Sequence, residues 1–260
     1  MKNYSVKCFG TGDGCPCPDR NHAAFLYRLG KTSLLIDCGE PLDRNYKASG
    51  LSYDAFDGLL ISHMHADHFG GFFMFMQGCW LEDRRKTLPV YLPKGAVKPV
   101  GQMLQSAFLF EEVLPFRLQL LPLPPQPITV GDVKVTPFRN SHLEGYRTRL
   151  QKQYRAADFS AFSFLLESGR RRIAHSADIG KPEDLEPLLA QPLDLLVCEL
   201  AHFTPEQIFG YLQGRAIRQI IFVHVGRPFR QPLARIRRLA ARKLPEIPHT
   251  FARDGQEISW

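Results

Sequence analysis

The stretch Gly58-Leu59-Leu60-Ile61-Ser62-His63-Met64-His65-Ala66-Asp67-His68 joins an apolar run to a turn that contains three histidines and an aspartate. Its first five residues are an apolar run bounded by turn-forming residues, which is typical of a buried β-strand. His63 and His65 lie two residues apart, so the end of an extended strand can project both to the same side. Asp67 and His68 follow where the chain must turn, and they can face a second ion. This density of imidazole and carboxylate groups predicts a metal site, because both are ligand types that suit zinc.

Composition limits the class of protein. The chain has 260 residues, of which 44% are hydrophobic and 23% charged, enough for a large core. No segment of flexible composition divides it, so we expect one domain over residues 1–260. Met1–Gly10 lacks a secretory apolar segment, and the apolar run Phe69–Met76 is too short to span a bilayer. We therefore expect a cytoplasmic protein with no membrane partner, and its scattered cysteines fit reduced thiols.

The positive charge of the chain is unevenly distributed. The net charge is +7, and the segment between Gln207 and Pro245 contains nine Lys or Arg residues and no Asp or Glu. Part of this segment, Arg235–Lys243, has the spacing of an amphipathic helix, and a solvated helix face accounts for most of its arginines. The remaining excess favours a phosphate-bearing substrate that is attracted by the summed field.

Apolar runs and turn residues predict alternating strands and helices. Strands are predicted at Tyr4–Phe9, Ala23–Leu29, Ser33–Asp37, 59–61, Val90–Leu92, Val133–Phe138, Ser160–Glu167, Arg172–Ala174, Leu193–Glu199 and Ile217–His224. Helices are predicted at Phe69–Cys79, Lys94–Phe110, Pro205–Leu212 and 231–244. Two successive groups of strands and helices favour an α/β fold in which two sheets pack face to face with helices outside.

Further candidate ligands follow three of these predicted strands. His142 comes after Val133–Phe138, Asp178 comes after Arg172–Ala174, and His224 closes the strand that begins near Ile217. Strand ends are where a sheet presents side chains to a shared cleft, so these residues are candidates to join the histidine-rich turn.

The set of motifs resembles the metallo-β-lactamase superfamily. The histidine-rich turn, His142, Asp178 and His224 occur in the order of its motifs. The segments Phe9–Gly14, Arg20-Asn21 and Leu34–Glu40 are similar to the opening of the ribonuclease Z-like branch. The resemblance runs over nearly the whole chain and implies the fold of that superfamily, a four-layer αββα sandwich.

The resemblance also implies a ligand set for two divalent metal ions. His63, His65 and His142 would hold one ion, and Asp67, His68 and His224 would hold the second. Asp178 would bridge the two. Nitrogen and carboxylate ligation fits Zn²⁺ best, and Mn²⁺ or iron also occupy such sites.

Glu199 and His202 are candidate catalytic residues by the same resemblance. A Glu ends the equivalent strand in the ribonuclease Z branch, and a histidine donates a proton there. Only two residues separate Glu199 from His202, so a segment of the family pattern is missing, and a solvent-exposed or helix-capping histidine is the alternative. Asp67 is expected to orient the attacking water, and Arg227 is a candidate substrate-binding residue from its position after His224.

The chain lacks the long arm with which ribonuclease Z clamps transfer RNA, and this absence bears on the substrate. Only 35 residues lie between His142 and Asp178, with a short basic stretch at Arg147–Arg155 in place of the long transfer-RNA-clamping arm of ribonuclease Z. The resemblance without this arm therefore implies a phosphodiesterase that acts on a small or nucleotide-like phosphodiester, similar to the cyclic phosphodiesterases of the same superfamily. An RNA endonuclease, a thioester, lactone or β-lactam hydrolase, and a non-catalytic nucleotide- or RNA-binding protein remain alternatives.

Two further questions stay open from the sequence. Cys15, Cys17 and His22 lie in one Gly/Pro-rich loop and are candidates for a small extra metal site. The oligomeric state is undetermined, with a homodimer as one alternative.

Overall fold

The structure, a computed structural model, describes residues 4–260; Met1–Asn3, and with them the first residues of the segment tested for an export signal, lie outside the described range. The strands are β1 (Tyr4–Gly10), β2 (Ala24–Leu29), β3 (Thr32–Ile36), β4 (Gly58–Leu60), β5 (Leu88–Leu92), β6 (Leu118–Pro122), β7 (Ile128–Val130), β8 (Val133–Asn140), β9 (Ala161–Ser168), β10 (Arg171–His175), β11 (Leu195–Leu200), β12 (Ile220–Val225), β13 (His249–Phe251) and β14 (Glu257–Ser259). The α-helices are α1 (Leu42–Ala48), α2 (Ala66–Phe69), α3 (Phe72–Leu81), α4 (Val97–Ser106), α5 (Glu144–Leu150), α6 (Pro205–Leu212), α7 (Arg227–Arg230) and α8 (Leu233–Lys243), with 3₁₀ turns at Lys94–Ala96 and Pro182–Leu185.

The strands form two seven-stranded mixed sheets. The first has the order β14-β1-β2-β3-β4-β5-β6 and the second the order β13-β12-β11-β10-β9-β8-β7. Each sheet has an antiparallel half, β14 to β3 or β7 to β10, that continues into a parallel half. The parallel half matters for function, because its strands all end at the same edge.

Three apolar layers separate the sheets and helices. Strand β3 shows the two-residue period that builds them, since Leu34 and Ile36 lie between the sheets whereas Leu35 faces α1, α3 and α4. The outer face of the second sheet packs on α6 and α8, for example through Phe222 and Ile236. The predicted αββα sandwich is confirmed.

Two predicted helices have different bounds in the structure. The segment Phe69–Cys79 is split into α2 and α3 by Gly70 and Gly71. A Cβ at Gly70 would lie 2.5 Å from the carbonyl oxygen of Ala66, so the turn admits only glycine there. The segment Lys94–Phe110 is a 3₁₀ turn followed by α4, which ends before Phe108, a residue with φ +59°. No helix within residues 4–260 has the length and apolarity needed to cross a membrane.

Candidate metal centre

The histidine-rich turn lies at the carboxyl end of β4, beside the ends of β8, β10, β11 and β12. His63 follows the strand and is fully buried, and His65 is the extended residue that precedes α2. Asp67 and His68 are in α2 itself, so the helix turns them away from His63 and His65. The strand end and the helix therefore direct the residues of this turn toward two separate ligand groups, as the spacing predicted.

The first group of possible ligands is His63, His65, His142 and Asp178, whose ligand atoms all lie within 4.8 Å of one another. His142 Nε2 is 3.2 Å from His65 Nδ1 and 3.8 Å from Asp178 Oδ2. His63 Nε2 is 4.0 Å from the same carboxylate oxygen. Three nitrogens and one oxygen therefore surround a space that suits a single ion.

The second group is Asp67, His68, His224 and, again, Asp178, within the same 4.8 Å. His68 Nε2 lies 3.2 Å from Asp178 Oδ1 and 3.4 Å from Asp67 Oδ2. His224 Nε2 lies 3.3 Å from Asp178 Oδ2. All seven sequence-predicted ligands are thus brought together, and Asp178 belongs to both groups.

The donor atoms of these groups fit divalent cations. His63 Nε2, His68 Nε2 and Asp178 Oδ1 are buried and lack a hydrogen-bond partner within residues 4–260, although such atoms are costly to leave unpaired. Burial, with the charge of His68, holds the pKa of His63 well below its ordinary value, and burial lowers that of His142 to about 4. Both imidazoles are therefore neutral near pH 7, which is the form that binds a metal.

Asp37 belongs to the site, although no role was predicted for it from the sequence. Its carboxylate is fully buried and lies 2.7 Å from His68 Nδ1, so it orients the ring, and it also accepts hydrogen bonds from the amide and hydroxyl of Ser62. Burial disfavours the imidazolium of His68, but Asp178 and Asp37 outweigh it and raise its pKa well above the usual value. A proton must therefore leave when a cation binds there. Its position at the end of a predicted buried strand was a signal in the sequence that could have pointed to this role.

Backbone strain is concentrated at this edge of the sheets. Asp37, Ala177 and His224 adopt φ of +61°, +46° and +50°, the left-handed region that residues other than glycine rarely occupy. Each lies in the site or next to a candidate ligand. Such conformations persist where surrounding contacts enforce them, which is common in functional sites.

Glu199 and His202 lie together, as predicted, in spite of their short separation in sequence. His202 Nδ1 is 2.8 Å from the Glu199 carboxylate, which also accepts hydrogen bonds from the amides of Ile179 and Ala201. Burial opposes the imidazolium of His202, but the hydrogen bond and charge of Glu199 outweigh it and raise the pKa to about 9. His202 Nε2 points to the metal groups, 3.8 Å from Asp178 Oδ2.

A cleft of about 500 Å³ opens beside His202, whose side chain is 34% exposed. Phe203, Gln207 and Tyr211 line it on one side, and the turn 180–183 lines the other. The helix-capping alternative for His202 is wrong, because Thr204 and Gln207 form the capping box of α6.

Arg227 and the loop that contains Cys15 and Cys17 were also predicted to bind ligands. The backbone amide of Arg227 donates to Asp13, and its guanidinium makes no hydrogen bond or ion pair within residues 4–260, so its substrate-binding role stays a prediction. Cys15 and Cys17 belong to none of the possible metal-binding groups in the described part of the chain. His22 Nδ1 instead lies 3.1 Å from the carbonyl oxygen of Asp13, and nothing supports an extra metal site in this loop.

Comparison with known proteins identifies the family. Residues 32–242 match the family model described as the beta-lactamase superfamily domain. The chain belongs to this superfamily. Ribonuclease Z of Lachnospira eligens is 30% identical over 139 residues, which are 53% of this chain and 44% of that protein. The chain thus spans about half the length of the curated relatives it matches.

Solved structures of the superfamily share the fold of the whole chain. The metallo-beta-lactamase fold protein YhfI from Bacillus subtilis superimposes with a TM-score of 0.78 at 16% identity, over 99% of this chain and 100% of the other. The short form of human tRNase Z superimposes with a TM-score of 0.72 at 19% identity, over 98% of each chain. The predicted membership of this superfamily is confirmed, and the similarity to ribonuclease Z supports the predicted ribonuclease Z-like / cyclic phosphodiesterase branch.

Proposed function

We propose that this protein is a hydrolase that uses two divalent metal ions, with Zn²⁺ as the best fit, to cleave a phosphodiester. The observation that carries the proposal is the position of His202. One ring nitrogen is held by Glu199 while the other faces Asp178, the carboxylate that both metal groups share. A proton donor aimed at the centre helps to expel the alkoxide of a phosphodiester, whereas a thioester releases a thiolate, which leaves without protonation.

The two groups of side chains give each ion its own proposed ligands. His63, His65 and His142 would hold one ion, Asp67, His68 and His224 the other, and Asp178 both. Two ions bound there would supply Lewis acidity to the phosphodiester and lower the pKa of the attacking water.

The protein groups complete the reaction. Burial disfavours ionisation of Asp67, but His68, whose Nε2 lies 3.4 Å from Asp67 Oδ2, outweighs it and lowers the pKa of Asp67 to about 2. Asp67 is thus a carboxylate that can accept a hydrogen bond from the attacking water and orient it. His202 would donate the proton on Nε2 to the departing alkoxide, and Glu199 would hold the ring in place. The cleft beside His202 is where the leaving group would lie.

Comparison of two leaving groups tests the proposal on metal-loaded protein. Bis-p-nitrophenyl phosphate releases a phenolate that leaves without protonation, whereas thymidylyl-thymidine releases an alkoxide. His202→Ala should lower kcat on the dinucleotide by about 10²- to 10⁴-fold and affect bis-p-nitrophenyl phosphate much less. His249→Ala, which changes a histidine outside the site, is the matched control.

The same assay includes the competing substrates. A thioester, a lactone and precursor transfer RNA are tested beside the two phosphodiesters. Turnover restricted to the carboxyl derivatives would refute the phosphodiesterase, and turnover restricted to transfer RNA would replace the small substrate with RNA. Equal losses of His202→Ala on both phosphodiesters would remove His202 as the proton donor.

A further inference from the structure

The segment between His142 and Asp178 places a cationic surface next to the metal centre. From Arg147 to Arg155 the chain has four cations and no carboxylate. Arg147 is paired with Glu144, but Arg149, Lys152 and Arg155 form no ion pair with any residue in the range 4–260. These three side chains are exposed, and Lys152 and Arg155 line a cavity of about 400 Å³. Free cations around a concave surface favour a bound anion.

Tyr146 connects this surface to the centre. Its side chain is 45% exposed, and its ring lies 5.8 Å from the ring of His65, a candidate ligand, in an edge-to-face arrangement. The guanidinium of Arg149 lies 5.7 Å from the centre of the same ring. Arg149 thus lies over the ring of a half-exposed tyrosine, and aromatic rings together with arginines are groups on which proteins stack nucleobases.

The need for a hydrophobic core does not explain this helix. α5 contains no buried residue, so packing against the sheets gives no reason for the exposed Tyr146 and Arg149 in it, nor for Lys152 and Arg155, which follow its end. α8 is a useful contrast, because it is also basic but buries Ile236 and Ala240 and has no aromatic residue. Its arginines are those of an ordinary solvated helix face.

We propose that Tyr146, Arg149, Lys152 and Arg155 are specificity-determining residues for a nucleotidic substrate. A base would stack on Tyr146, and the cations would bind a phosphate other than the one that is cleaved. This inference rests on the proposed phosphodiesterase function and narrows its substrate to phosphodiesters that carry a base and at least one further phosphate.

Binding to metal-loaded protein tests the inference directly. The probe is a 5′-phosphorylated thymidine trinucleotide with phosphorothioate linkages and a 3′-fluorescein, followed by fluorescence anisotropy at several salt concentrations. The triple variant Arg149→Gln, Lys152→Gln, Arg155→Gln should raise the Kd at least tenfold and flatten the salt dependence. Tyr146→Leu should raise the Kd about 5- to 150-fold with little change in the salt dependence.

A second triple variant controls for the loss of charge. It removes the same number of positive charges from the exposed face of α8, through Arg235→Gln, Arg238→Gln and Arg242→Gln. Its Kd should stay within about twofold of that of the parent protein. Equal weakening by both triple variants would reduce the effect to net charge and overturn the inference. Unchanged binding by the Tyr146 variant and by the Arg149, Lys152, Arg155 triple variant would overturn it as well.

Turnover distinguishes this inference from the proposed function. The kcat/KM of the Tyr146 variant and of the Arg149, Lys152, Arg155 triple variant should fall at least tenfold more on 5′-phosphorylated thymidylyl-thymidine than on bis-p-nitrophenyl phosphate, which has neither base nor second phosphate. If the parent binds the trinucleotide through these residues but hydrolyses no phosphodiester, the proposed function fails and the binding surface stands. If it hydrolyses both substrates and the losses are equal, the binding surface is wrong and the function stands.

Discussion

His175 lies between the two sheets, and we expect it to make the free energy of unfolding depend on pH. Its ring is fully buried beside Phe25, and its Nδ1 lies 2.7 Å from the hydroxyl of Tyr27 in the opposite sheet. Burial raises the pKa of Tyr27 well above its usual value, so the phenol stays protonated and donates this hydrogen bond. Burial, followed by the charge of His68, lowers the pKa of His175 to about 3.

The sign and size of the effect follow from proton linkage. Between the unfolded pKa of about 6.5 and the folded pKa of about 3, the unfolded chain binds a proton that the folded protein does not. The stability contributed by neutral His175 is therefore complete above pH 6.5 and is lost as the pH falls from 6.5 toward 3. The loss is about 1.4 kcal/mol per pH unit, or about 2 kcal/mol between pH 7 and pH 5.

The assay is urea unfolding with chelator present, at several pH values from 7 to 5. His175→Asn keeps an oxygen near the position of Nδ1 but cannot titrate, so its free energy of unfolding should fall by about 2 kcal/mol less than that of the parent over this range. Tyr27→Phe removes the hydrogen bond and keeps the imidazole, so it should retain the pH dependence. Parallel curves for the parent and His175→Asn would refute the reasoning.

Three further predictions concern the centre and the core. Asp178→Asn should lower the metal content, measured by elemental analysis, from two ions per chain to one or none, because both ligand groups share this carboxylate; two retained ions would contradict the bridging role. Asp37→Asn should weaken metal binding about 10- to 100-fold in competition with a chromophoric chelator, because it orients His68, whereas exposed Asp83→Asn should not. Arg84→Met should lower the free energy of unfolding by about 3 kcal/mol or more, because the buried guanidinium donates to the carbonyl groups of Tyr53, Phe56, Lys86 and Thr87; a loss below about 1 kcal/mol in urea unfolding would show that these groups find other partners.

Much of the layered fold could be predicted because burial has a local period. The strand at 59–61 and the helix Pro205–Leu212 are near their predicted places, since apolar runs and the Thr204 capping box are local signals. β6 and β7 were not predicted, because they lie among the prolines of 118–130 and only pairing with neighbouring strands defines them. α5 was also not predicted, since it buries no apolar face that would give a helical period.

The chemical nature of the centre can be read from a single short segment. The types and spacing of the residues from His63 to His68 specify imidazole and carboxylate ligands on a strand end followed by a turn. Which distant groups complete the centre depends on folding, because the ends of separate strands meet only when the sheets form. It placed Asp178 between the two ligand groups, Asp37 behind His68 and Tyr146 beside His65. These contacts join residues 31 to 115 positions apart, a distance over which no local pattern carries information.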